Sequence, residues 1–153
     1  MNTASTHAST STACRFERPL RIRFGHCDPA GIVFFPQYLV LFNGLVEDWF
    51  TDGLQVSYAE LLGPRRVGIP IVRLECDFKA VSRMGDDVVL GLAVERLGAS
   101  SLTLALQCRA GSELRVASRQ VLVFTSLETH KPIAVPPDAR SAISSFTEPR
   151  SLS

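Results

Sequence analysis

The stretch PQYLVLFNGLVEDWF, residues 36–50, decides how the rest of the chain is read. Tyr38, Leu41, Phe42, Leu45, Val46 and Trp49 recur at helical spacing, so one side of a 3.6-residue period is apolar. Pro36 stands where a first helical turn tolerates a residue without an N–H, and Gly53 ends the pattern. The spacing predicts one long helix over 37–50 with an apolar stripe wide enough to be mostly covered. What covers it lies on both sides in sequence. Leu20-Arg21-Ile22-Arg23-Phe24 alternates apolar and polar residues, as a half-buried strand does. Val72, Leu74, Cys76 and Phe78 alternate with Arg73, Glu75, Asp77 and Lys79. Val88 to Val94, Leu102 to Cys108 and Leu114 to Phe124 repeat the pattern between turns at Gly85-Asp86, Gly98 and Gly111-Ser112. Consecutive strands on short connections predict an antiparallel meander. A helix and a sheet with one apolar face each bury both by packing the sheet around the helix. The fold class is therefore α+β, one helix against five antiparallel strands.

Composition narrows the function. The 153 residues are 46% hydrophobic and 20% charged, with a formal charge of +1, the usage of one globular domain. Non-specific nucleic-acid binding draws on a clear positive excess, so no nucleic-acid partner is expected. No apolar run reaches the roughly 18 residues that span a bilayer, so no membrane association is expected either. Cys14, Cys27, Cys76 and Cys108 are widely and irregularly spaced, which fits neither a zinc site nor a disulfide framework. No metal and no cofactor are expected. The N-terminal MNTASTHASTSTA has neither the basic start nor the apolar stretch of a secretory signal, and reduced thiols in the cytoplasm are the expectation. Residues 1–14, almost all Ser, Thr, Ala, Asn and His, bury too little to offset their ordering entropy and read as a mobile tail. A single domain over 15–146 and a polar tail over 147–153 complete the organisation, with a short helix ending near Phe146.

Between the first strand and the helix lies FGHCDPAGIVFFPQY, residues 24–38, rich in turn formers. This segment resembles the signature of the 4-hydroxybenzoyl-CoA thioesterase family, and the resemblance extends more loosely over residues 16–128. It implies the hotdog fold and a thioester hydrolase acting on an aromatic or short-to-medium acyl-CoA. It also implies that Asp28 is the catalytic carboxylate, as nucleophile or general base, and that the Phe35 amide polarises the thioester oxygen. The residues offer their own support, since helix N-termini present unpaired amides to developing negative charge. They also offer a plainer reading, an Asx-turn ahead of Pro29, and on the residues alone the two stand level. By the same resemblance Asn43 occupies the position where relatives carry an Asp for a para-hydroxyl, a departure that weakens the match to that substrate. Coenzyme A would meet Arg96, Ser100 and Ser101 at the Gly98 turn. Homodimers, paired again into homotetramers, are implied too and would cover the open sheet edges.

The remaining candidates read more simply. Ile32 and Phe34 floor an acyl pocket or belong to the core. Cys27 is read as a small buried thiol and His26 as a loop-ordering imidazole, because sequence neighbours in extended chain point to opposite faces. Glu47 and Asp48 read as the solvated or dimer-facing side of the helix. Arg65, Arg66, Arg83 and Arg109 read as surface cations. Alternative functions are an acyl carrier protein thioesterase, a non-hydrolysing acyl-thioester binder, and enoyl hydration, for which His26 and His130 are poor second partners to an aspartate.

Overall fold

In the computed structural model, which describes residues 15–148, the apolar stripe of residues 36–50 folds as expected. Helix α1 (Pro36–Asp48) buries Tyr38, Phe42, Leu45 and Val46. A π-helical turn, Trp49–Gly53, carries Trp49 and Phe50 into the core behind them. The sheet that wraps this helix contains β1 (Phe16–Arg21), β3 (Ile71–Phe78), β4 (Asp87–Leu97), β5 (Ser101–Ala110) and β6 (Glu113–Val123). All neighbours are antiparallel, in the order β1-β4-β5-β6-β3. This is the five-stranded hotdog arrangement that the sequence led us to expect. Leu92, Leu104, Leu106 and Val116 from the sheet join Phe42, Leu45, Trp49 and Phe50 in one apolar cluster. A two-stranded ribbon, β2 (Val67–Gly68) with β7 (Thr125–Ser126), and two more helices, α2 (Tyr58–Leu62) and α3 (Pro137–Thr147), complete the chain. Helix α3 closes the end of the core through the Phe146 ring, 5.4 Å from Trp49. The expected tail over 1–14 and most of that over 147–153 lie outside the described residues. Among the described residues no helix is long and apolar enough to cross a membrane.

Two expectations are corrected. The first strand ends at Arg21, not at Phe24. Ile22 still bonds the 85–86 backbone, but the Arg23 amide donates to His26 Nδ1 at 2.9 Å and closes a 3-10 turn, leaving Phe24 83% exposed. The meander is also broken, because β3 does not pair with β4. It lies at the far edge against β6, since residues 79–86 run back beneath the Asp28 loop instead of forming a tight hairpin. Alternation tells which face of a strand is apolar but not which strand lies beside it.

Candidate active site

Residues 27–33 form a narrow hairpin. Cys27 and Val33 pair across it, the Asp28 amide donates to Ile32 O at 2.9 Å, and the Gly31 amide donates to Asp28 O at 2.9 Å. Asp, Pro and Gly occupy turn positions that suit them, Gly31 at a φ of +76° that strains other L-residues. The Asp28 side chain takes part, its Oδ1 accepting the Ala30 amide at 2.8 Å. The Asx-turn is therefore present. It occupies one carboxylate oxygen; Oδ2 has no donor among the described residues.

Three contacts anchor the hairpin from the other side of the sheet end. Val33 N donates to Ser82 O at 2.9 Å, Met84 N donates to Gly31 O at 3.0 Å, and Ile32 bridges Arg83. Arg115 of β6 holds this second segment, with Nη1 2.6 Å from Asp86 Oδ2 and 3.3 Å from Ser82 Oγ. Asp86 also accepts the Arg83 amide. That amide and the Arg115 guanidinium hold its carboxyl below the usual range.

After the hairpin the Phe34 amide donates back to His26 O at 3.0 Å. This bond sets the direction in which the chain enters α1. Gln37 and Tyr38 amides are taken by Phe34 and Phe35 carbonyls, and Pro36 has no N–H. The Phe35 amide, by contrast, has no acceptor among the described residues. Asp28 faces a cavity of about 290 Å³ lined by the 25–29 loop, Phe34 and Gln37. A carboxylate oxygen without a donor on this hairpin can attack an electrophilic carbon or take a proton from a water that does, and an amide without an acceptor at the N-terminus of α1 can receive developing negative charge.

The other sequence candidates fall as follows. His26 Nδ1 accepts the Arg23 amide, and the Cys27 thiol points to Arg23 O at 3.5 Å, so the two do not form a nucleophile–base pair. Burial pushes the Cys108 thiol, beneath this region, up to about 11, which keeps it protonated at neutral pH. Ile32 contributes through its backbone. Asn43 lies on α1 but in a different cavity, of about 330 Å³, between Leu39 and the 71–74 end of β3, with Gln120 among its walls. Glu47 and Asp48 are exposed and line neither cavity. Arg96, Ser100 and Ser101 sit at the opposite end of β4 from the Asp28 loop, and Asp87 to Arg96 alone spans about 30 Å of strand. One chain therefore does not bring them to Asp28. Arg65 is tied to Asp138 by two bonds of 2.8 Å, and Arg109 to Ser112 O. Arg83, through its backbone, is the candidate cation that joins the Asp28 loop.

Sequence reasoning missed Arg115, Ser82 and Gln120. The signal for Gln120 was present: Val116, Ser118, Gln120 and Leu122 all occupy the helix-facing side of β6 and are buried, and two of the four are polar.

Residues 22–143 match the family described as the Thioesterase-like superfamily. No curated protein sequence matches the chain. Among solved structures, a 1,4-dihydroxy-2-naphthoyl-CoA thioesterase from Synechocystis is 20% identical, with a TM-score of 0.79 over 88% of this chain and 98% of that one. A gentisyl-coenzyme A thioesterase is 25% identical, with a TM-score of 0.75 over 83% of this chain and 98% of that one. A Staphylococcus aureus protein solved in complex with CoA is 13% identical, with a TM-score of 0.79 over 86% of this chain and 83% of that one. The first and third likenesses establish the fold alone.

Proposed function

The chain belongs to the thioesterase-like superfamily and is a thioester hydrolase, and from that premise we propose that it cleaves an aromatic acyl-CoA at Asp28. Asp28 Oδ2 attacks the thioester carbon, or takes a proton from a water that does so. The carbonyl oxygen gains charge facing the Phe35 amide and the N-terminus of α1. Collapse breaks the C–S bond and expels the CoA thiolate; on the nucleophilic route water then cleaves the acyl–Asp28 anhydride, whereas on the general-base route the free acid forms directly and the proton held by Asp28 passes to the thiolate. The observation that carries this reading is a carboxylate oxygen of Asp28 with no donor among the described residues, at the edge of a cavity that Phe34 and Gln37 at the start of α1 also line. An aromatic acyl group is favoured by Phe34 on the cavity wall and by the gentisyl-coenzyme A thioesterase at 25% identity. The 4-hydroxybenzoyl ester remains the first to try despite Asn43.

A homodimer accompanies this reading. Edge strand β3 leaves Ile71, Val72, Leu74 and Phe78 between 38% and 60% exposed, and a sheet edge of that kind calls for a covering strand. Arg96, Ser100 and Ser101 reach the CoA of another subunit in such an assembly, which makes a homotetramer the expected form.

The test is thiol release from benzoyl-, hydroxybenzoyl-, phenylacetyl- and short aliphatic CoA esters and from an acylated carrier protein, for wild type and Asp28→Asn. Asn keeps an oxygen for the Ala30 amide, so the hairpin survives, and we expect turnover to fall by at least about 10²-fold. Equal turnover removes Asp28 from the mechanism. Turnover confined to the carrier protein moves the substrate class, and no turnover anywhere marks a binding protein.

A further inference from the structure

Strand β6 is irregular at one place. Between the pairs Cys108–Val116 and Arg109–Leu114 its register against β5 shifts, so Arg115 is the extra residue of a β-bulge. A bulge frees a residue from the ladder and re-aims its side chain. Here the freed backbone is used at once: Arg115 O accepts the Lys79 amide at 2.8 Å and the Ala80 amide at 3.1 Å. The side chain takes the other end of the same segment, through Ser82 Oγ and Asp86 Oδ2. Asp86 in turn closes the 83–86 turn by accepting the Arg83 amide at 2.9 Å. One residue therefore clamps residues 79–86 at both ends.

That segment is where the two halves of the site meet. The hairpin is bonded to it by Val33 N and Gly31 O. The first turn of α1 reaches it through Tyr38, whose hydroxyl is buried with no hydrogen-bond partner among the described residues and lies beside Ser82 and Arg115. Ser82 is 1% exposed, fixed between hairpin, helix and guanidinium. Arg115 itself is not among the walls of the Asp28 cavity. Drawing a guanidinium partly out of water costs free energy unless its donors are well matched, and a residue needed only for the ladder calls for neither the bulge nor the charge.

We propose that Arg115 is a positioning residue for the hydrolysis: by clamping residues 79–86 it fixes the platform on which the Asp28 hairpin and the first turn of α1 both rest. The inference rests on the thioesterase reading and adds the residue that sets how the carboxylate meets the thioester carbon. A misplacement of about 1 Å at that point can cost about 10²-fold in rate.

The test compares wild type with Arg115→Met and Arg115→Lys on the best acyl-CoA of the panel above, well below the melting temperature of each protein. Arg115→Met keeps an unbranched stem and loses every donor. Its kcat is expected to fall by about ten- to a hundredfold while KM moves less than about threefold, because substrate binding does not use the guanidinium. Lys keeps the charge for Asp86 but lacks the planar fork that also serves Ser82, so its kcat should lie between the two. An unchanged kcat in folded Arg115→Met, or a change confined to KM, overturns the proposal while leaving hydrolysis intact.

Amide hydrogen exchange supplies a readout that needs no turnover. The Val33 and Met84 amides bond the hairpin to the clamped segment and should exchange at least about tenfold faster in Arg115→Met. The Leu104 and Leu106 amides, in the central strand β5, should keep their rates. Equal acceleration at all four marks a contribution to global stability alone and overturns the proposal. If wild type cleaves no thioester, the reading of the reaction fails, and selective exchange still supports Arg115 as the residue that holds the hairpin.

Discussion

Arg115 shows how much of a site depends on a residue that never enters it. Its side chain is 16% exposed, its guanidinium reaches Asp86 and Glu113 at 2.6 Å each, and through Asp86 and Ser82 it fixes the segment to which Gly31 and Val33 are bonded. Asp86 is the pH-sensitive member. Its carboxyl is held below the usual range by the Arg83 amide and by Arg115, so it adds stability that is fully present above the unfolded carboxylate pKa of about 3.9. That stability is lost as pH falls through the depressed folded value. Asp86→Asn is expected to lower stability at pH 7 by about 1 kcal/mol, the lower part of the range for charge-assisted bonds because the pair is partly open to water. The gap to wild type should close as thermal melts are repeated below about pH 4. A gap that persists unchanged in acid would mean that shape, not charge, is what Asn fails to supply. None of these partners was legible in the sequence. The turn at Asp28 was, because a turn-forming segment ahead of a helix is a local feature, whereas the roles of Asp28 and the Phe35 amide rest on the family resemblance. Arg115 meets Asp86 across 29 residues, and no local pattern announces that.

At the level of elements, α1 and the strand alternations were legible for the same reason: helical and period-two patterns are properties of short windows. The neighbours of β3 were not, and neither was the π-helical turn that ends α1. There the Leu54 amide donates to Trp49 O at 2.7 Å, five residues back, and the extra residue turns both Trp49 and Phe50 inward. Gly53 is needed for that packing. A Cβ placed on it would lie 2.9 Å from Trp49 Cδ1 and 3.2 Å from the Phe16 ring, and Trp49 is fully buried, so its ring has nowhere to retreat. Gly53→Ala is expected to cost about 1–3 kcal/mol, as overpacking does, read from urea unfolding midpoints. The helix rule that favours Ala over Gly predicts the reverse sign, a gain of up to about 1 kcal/mol. The midpoint shift therefore decides whether packing or propensity governs the end of α1.

On the scale of the whole molecule, the open question is what covers the β3 side. Val40 on α1 and Val81 just beyond β3 are 60% and 52% exposed, and Phe34, Phe35, Phe78 and Met84 are all at least half exposed. Contiguous apolar surface of this kind marks an association site, and it borders an unpaired strand edge. A second copy answers both needs, by continuing the sheet through β3 and laying its own apolar side chains on these. Phe34, which lines the Asp28 cavity, belongs to this exposed surface, so the proposed association would take place beside the site. Association and activity should then be lost together. Wild type is expected to sediment at no less than twice its 16.7 kDa. A Val40→Asp/Val81→Asp double variant, which places charges on the patch while leaving Asp28 and the Phe35 amide untouched, is expected to sediment as a folded monomer. Its kcat/KM should fall by about 10²-fold or more on the best acyl-CoA, as loss of correct substrate positioning does. A folded monomer that keeps full activity would show that each chain completes its own site, and the acyl group would then have to be accommodated entirely within the cavity at Asp28.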